Sequence, residues 1–162
     1  MYDRWWALAL ITFVISALQP AICSAQSNIG SATSVKNRVD GVIGGATRSL
    51  SSGSAVHANE LIRSGDDSVG NLLFVDQTKL SVGPKSEVRL NKFVYDPNKK
   101  AGSVVVQAGK GAYRFATGVQ DSKNYQIKTP YATLGVRGTV LEIVVENSAR
   151  PTNRRASRQG RL

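Results

Sequence analysis

Short apolar runs separated by turn residues dominate the chain from residue 39 onward. Residues 72–75 are continuously apolar, and Leu80 and Val82 then alternate with polar neighbours before the turn dipeptide Gly83-Pro84. Turn signals return about every 8–12 residues, which is the spacing of all-β sandwiches and barrels. After residue 26 we find no apolar stripe with the 3.6-residue helical period. The pattern predicts an all-β fold in one small domain, either β-sandwich-like or a short β-solenoid.

The last apolar segment, Val140–Val145, gives two indications of where its strand lies in a sheet. It is apolar on both faces except for Glu142, which is typical of a central strand. After Glu146, however, the composition changes abruptly to Arg, Ser and Pro, so no further strand is expected to follow. This change predicts that the last strand lacks a neighbour on one side and leaves an open sheet edge.

The first 25 residues are predicted to be a signal peptide rather than part of the fold. Residues 5–18 are apolar except for Thr12 and Ser16, a length that suits a signal peptide and is short for a membrane span. Cleavage is expected after Ala25, with an uncleaved anchor as the alternative. The expected location is therefore periplasmic or secreted, with no stable transmembrane segment after cleavage. Residues 26–38, small and polar, are predicted to be a flexible lead-in to a β domain at 39–146.

Residues 147–162 are predicted to form a disordered basic tail. Positions 148–162 hold five Arg and no acid, and therefore about half of the formal net charge of +10. Residues 26–147 carry about +5. The tail is either simply solvated or attracted to anionic lipid, polysaccharide or nucleic acid. Expected export disfavours nucleic acid as a partner.

Composition argues against catalysis. The chain has one Cys and one His, which removes most nucleophile–base pairs of the Ser–His or Cys–His type and nearly excludes a zinc site, since that needs three or four such ligands. We therefore predict a protein that is not an enzyme and that uses no cofactor and no metal.

Several segments in order resemble one family. Residues 129–139 read TPYATLGVRGT, residues 71–80 read NLLFVDQTKL, and residues 82–88 read VGPKSEV. Together they resemble the FecR domain family of bacterial envelope proteins over residues 39–145. One departure is Gln77, which stands where the family usually has Gly. Either this turn is looser, or a residue other than glycine adopts a positive φ there.

The resemblance implies a periplasmic protein-interaction or signalling accessory module, related to iron-uptake regulators. The implied partner is an envelope protein, either a receptor or a membrane regulator, and the oligomeric state is open. The alternative is a module that binds an anionic cell-envelope polymer, such as a polysaccharide or lipid headgroups. The candidate binding residues are Thr129, Pro130, Arg137, Gly138 and Thr139. Arg137 could bind an anion with its planar guanidinium, or it could lock a turn by pairing with a neighbouring acceptor. Thr129-Pro130 is predicted to begin a strand, where proline needs no ladder donor.

Overall fold

The computed structural model describes residues 26–98, 101–136 and 140–146. Within these ranges the chain forms thirteen β-strands and one short 3-10 helix at Ser122–Asn124. The strands are β1 Asn28–Lys36, β2 Val39–Ile43, β3 Ala46–Ser49, β4 Ala55–His57, β5 Leu61–Ser64, β6 Val69–Phe74, β7 Lys79–Val82, β8 Glu87–Asp96, β9 Ala101–Ala108, β10 Gly111–Ala116, β11 Tyr125–Lys128, β12 Thr133–Gly135 and β13 Val140–Val145. The prediction of an all-β fold is confirmed.

The strands form two sheets. The six-stranded sheet has the order β13-β10-β7-β6-β1-β4, and the seven-stranded sheet has the order β12-β11-β9-β8-β5-β2-β3. Among the described strands all pairings are antiparallel except that of β9 with β11, which is parallel. The chain passes repeatedly from one sheet to the other while advancing along both. The result is a β-sandwich in which later strands are added towards the same end of both sheets, as successive coils are added in a β-solenoid.

The core lies between the two sheets, because inward and outward side chains alternate along each strand. Two aromatic contacts cross it: the ring centroids of Phe74 and Phe93 lie 5.4 Å apart, and those of Phe115 and Tyr125 lie 5.7 Å apart. Fully burying such a large apolar side chain contributes about 1.5–3 kcal/mol. The largest apolar side chains that are almost completely buried are Ile62, Leu72, Leu80, Phe115, Tyr125 and Ile127.

The predicted flexible lead-in at residues 26–38 is wrong, because most of it forms β1. This strand pairs with β4 on one side and β6 on the other, and it buries Ile29 and Ala32 in the core. Its Ser, Thr and Gly residues give little local strand signal, but pairing on both sides satisfies the backbone. Gly30 also permits a close approach, since a Cβ atom there would lie 2.4 Å from the Leu73 carbonyl oxygen.

Two predicted segments cannot be compared with the fold. The predicted signal peptide at 1–25 and the predicted tail at 147–162 lie outside the described residues. In the part of the chain that is described, no helix has both the length and the apolar character needed to cross a bilayer.

Candidate interaction edge of the six-stranded sheet

Strand β13 is one edge of the six-stranded sheet. It pairs with β10 from Gly111↔Val145 to Ala116↔Val140, and no other described strand pairs with it. Among the described strands β13 is thus an edge, so the central-strand interpretation of its apolar pattern is wrong, and this part of the chain agrees with the predicted open edge. Alternate backbone N–H and C=O groups of β13 face away from β10 and are available to another strand.

The side chains of β13 divide between the core and the solvent. Ile143 and Val145 are buried in the core, whereas Val140 and Val144 are 50% and 70% exposed on the outer face. Two exposed valines on an edge strand are unusual, because edges are commonly protected by charged side chains. Here Glu142 stands between them, and its carboxylate lies 3.7 Å from the Arg114 Nε atom of β10. The edge is thus apolar at both ends and charged in the middle.

A groove of about 390 Å³ adjoins β13 where the edges of the two sheets meet. Leu134 of β12 lines one side, and Ile143 and Val144 of β13 line the other. Tyr131, a residue that is 65% exposed, reaches across, and its hydroxyl donates to the Glu146 carbonyl oxygen at 3.2 Å. The groove therefore combines apolar walls with an exposed aromatic ring, a combination that is common at protein interfaces.

Thr129 and Pro130 form a turn rather than the start of a strand. They follow β11, and β12 begins only at Thr133. The Thr129 Oγ1 atom accepts from the Tyr131 and Ala132 backbone N–H groups at 3.3 and 3.0 Å, and it lies 3.1 Å from the Ala132 carbonyl oxygen. The Thr129 N–H donates to that same carbonyl at 2.8 Å. The prediction of a strand start is wrong because local side-chain bonds to the backbone favour a turn here.

The remaining candidate residues, Arg137, Gly138 and Thr139, lie outside the described residues. A binding role for these three therefore stays a prediction, as does one for Thr129 and Pro130. On either side of the gap, Val136 is buried in the core and Val140 is half exposed on β13.

The opposite end of the sandwich is closed by a buried carboxylate. Glu60 has a fully buried side chain and accepts from the Arg48 Nη2 atom at 2.8 Å and from the His57 backbone N–H at 2.8 Å. Arg48 lies on β3, the last strand of one sheet, and also donates to the Ala55 carbonyl of β4, the last strand of the other. The Glu60–Arg48 pair therefore ties the two sheet edges together.

A second buried carboxylate lies in the middle of the molecule. Asp76 follows β6 and accepts from the Thr78 N–H and hydroxyl at 3.0 and 2.8 Å. It also accepts from the Gln120 side-chain amide at 2.8 Å and from the Tyr125 hydroxyl at 2.9 Å. Tyr125 belongs to the other sheet, so this network of neutral donors joins the sheets from within. The Asp76 carboxylate is fully satisfied, whereas the Gln120 Oε1 atom is buried without a hydrogen-bond partner among the described residues.

The turn after β6 shows how the chain accommodates Gln77. Its φ is 67°, so the second possibility is confirmed: a residue other than glycine adopts the left-handed conformation. Gly118 packs directly against this turn, and a Cβ atom there would lie 2.0 Å from the Asp76 carbonyl oxygen. The turn is therefore held by close packing against Gly118 and by the bonds to Asp76.

Two buried tyrosines contribute hydrogen bonds rather than acid–base chemistry. Burial raises the pKa of Tyr113 to about 12, and burial also raises the pKa of Tyr125. The Tyr113 hydroxyl lies 2.5 and 2.6 Å from the carbonyl oxygens of Glu87 and Lys110 and accepts from the Glu87 N–H at 3.0 Å. Both tyrosines are neutral at physiological pH, and their hydroxyls serve as fixed connectors between loops and strands.

Sequence reasoning missed the Glu60–Arg48 pair and the role of Tyr131. Arg48 and Glu60 are separated by strand β4 of the other sheet, so no local spacing marks them as partners. Tyr131 lies within the segment that carries the family resemblance, and its aromatic character beside Pro130 was the only signal present.

The chain matches the protein family described as FecR protein over residues 60–155, which is more than half of its 162 residues. The chain belongs to the FecR family, which is related to signalling and to regulators. The matched region begins at Glu60 and includes both the Asp76 turn and strand β13. No curated protein and no solved structure matches the chain.

Proposed function

We propose that this chain is an exported, non-enzymatic FecR-type module that acts in the periplasm by binding an envelope protein. Membership of a signalling-related family supports a regulatory role. The apolar segment at residues 5–18, followed by Cys23-Ser24-Ala25, supports export. Relation to iron-uptake regulators is part of the same proposal and rests on the resemblance alone.

The observation that carries the proposal is the open edge of β13. An extended segment of a partner can add a strand to this edge, so that main-chain hydrogen bonds supply affinity. The exposed Val140 and Val144 side chains and the Tyr131 ring would select which segment binds. If the partner exists in two conformations, the module would favour the one that presents this strand.

The test is cross-linking in intact cells that produce the protein, followed by affinity capture and identification of the captured proteins. Three versions of the full chain are compared: unchanged, Val144→Lys and Val75→Lys. A lysine on an edge strand opposes pairing because its charge would have to be desolvated. Val75 is the matched control, since it is 57% exposed and follows β6 rather than lying on β13.

We expect one envelope protein to be captured by the unchanged chain and by Val75→Lys, and lost with Val144→Lys. Equal capture by both variants would overturn the role of β13. Capture of no envelope protein by the unchanged chain would overturn the proposed function as a whole.

A further inference from the structure

The outer face of the seven-stranded sheet is basic where its central strands meet. Arg89 of β8, Gln107 of β9 and Lys128 of β11 are paired in register, and all three side chains are exposed. Because neighbouring strands lie about 4.8 Å apart, Arg89 and Lys128 are separated by roughly 10 Å across the sheet. The three side chains therefore form one polar row perpendicular to the strands.

A second row runs beside the first. Lys92 of β8 pairs with Val105, and Val105 pairs with Gln126 of β11. Lys92 and Gln126 are exposed, and Val105 is partly exposed. Asn91 lies between the rows and donates from Nδ2 to the Gln107 Oε1 atom at 3.0 Å. We call these two rows the basic face, defined by Arg89, Asn91, Lys92, Gln107, Gln126 and Lys128.

No carboxylate of the described residues neutralises the basic face. Arg89, Lys92 and Lys128 take part in none of the ion pairs found among them. Of the two acids on β8, Glu87 pairs with the Arg63 Nε atom at 2.9 Å. Asp96 is the last residue of β8, four positions beyond Lys92, and forms no ion pair among the described residues. Three uncompensated cations on one flat surface attract an extended anion.

We infer that the basic face binds an anionic polysaccharide. Its three cations suit carboxylate or phosphate groups along the polymer, and its amide side chains suit the hydroxyl groups of sugars, which both donate and accept hydrogen bonds. A membrane surface fits less well, because the apolar side chains on and beside the face are the short valines Val105 and Val94, and the basic face contains no leucine or aromatic side chain that could insert deeply among lipids. This site lies on the other sheet from β13, so the inference is independent of the proposed protein partner.

The experiment measures binding of the full-length protein to polygalacturonate, with neutral dextran as the uncharged control. The test variant carries Arg89→Gln, Lys92→Gln and Lys128→Gln together. The matched control carries Lys36→Gln, Lys79→Gln and Lys110→Gln, three exposed lysines outside the basic face that form no ion pair among the described residues. Both variants lose three positive charges, and both keep residues 147–162 unchanged.

We expect the test variant to bind polygalacturonate about tenfold more weakly, since each lost surface contact contributes a small factor. The control variant should change affinity by less than about twofold, and binding should weaken with added salt because screening shortens the range of charge attraction. Equal weakening in both variants would show attraction to net charge only and would overturn the inference. Binding to phosphatidylglycerol vesicles without binding to polygalacturonate would also overturn it.

A measurement on the unchanged protein tests the same inference without depending on the variants folding correctly. Polygalacturonate titrated into the ¹⁵N-labelled protein should shift the amide signals of β8, β9 and β11. Shifts confined to other strands would place the polymer elsewhere and contradict the inference.

Discussion

The two ends of the sandwich are built differently. At one end, edge strands β3 and β4 are tied together by the fully buried Glu60, which Arg48 and the His57 backbone satisfy. At the other end, β12 and β13 flank a groove of about 390 Å³, and the Tyr131 hydroxyl donates a hydrogen bond to the Glu146 carbonyl oxygen there. The first end is closed by an ion pair whose carboxylate is fully buried, whereas the second keeps an apolar, accessible edge. The first end therefore contributes to the stability of the fold, whereas the second is free to bind a partner.

The largest effect is expected from removing the cation at the closed end. Arg48→Met would leave the Glu60 carboxylate buried without its charged partner, a change that destabilises proteins by about 3–5 kcal/mol. Because the Arg48 side chain is 36% exposed, we expect a value near the lower limit, about 3 kcal/mol. Urea unfolding followed by circular dichroism measures the free energy of unfolding.

Arg38→Met is the matched control for that measurement. Arg38 pairs with Asp40 at 2.8 Å, but its side chain is 77% exposed. Exposed pairs contribute at most about 1 kcal/mol, so this variant should lose less than about 1 kcal/mol. Similar losses for Arg48→Met and Arg38→Met would mean that the Glu60 pair does not lock the closed end.

Local pattern predicted much of the fold but little of this difference between the ends. The alternation at Leu80 and Val82 and the turn after residue 75 correspond to β7 and the β6–β7 hairpin. Strand β1 could not be predicted, because Ser, Thr and Gly become a strand only when β4 and β6 pair with them. The Glu60–Arg48 pair also depends on the tertiary fold. The open edge was predictable, since the apolar pattern stops at Glu146.

Gly41 near the closed end and Gly135 near the open end differ in how tightly the protein packs around them. A Cβ atom at Gly41 would lie 2.0 Å from the Glu60 Oε1 atom, whereas nothing lies within 4 Å of one at Gly135. Glu60 is held on several sides, so Gly41→Ala should cost about 1–3 kcal/mol through overpacking. Gly135→Ala should be neutral or stabilise by about 0.4–1 kcal/mol, because alanine restricts the unfolded chain. Thermal and urea unfolding of the two variants measure these changes in the free energy of unfolding. A tolerated Gly41→Ala would show that the closed end is loosely packed.

The smallest effect is expected at the Tyr131–Glu146 hydrogen bond of the open end. Tyr131→Phe removes the hydroxyl that donates to the Glu146 carbonyl oxygen but keeps the exposed ring. Water can replace a hydrogen bond at so exposed a position, so the free energy of unfolding should fall by less than about 0.5 kcal/mol. Cross-linking to the envelope partner should persist, because the ring and the β13 backbone supply the contact. A loss of more than about 1 kcal/mol in urea unfolding would contradict this. It would make Tyr131 a lock comparable to Glu60, and a strand could then add to β13 only after that lock had opened.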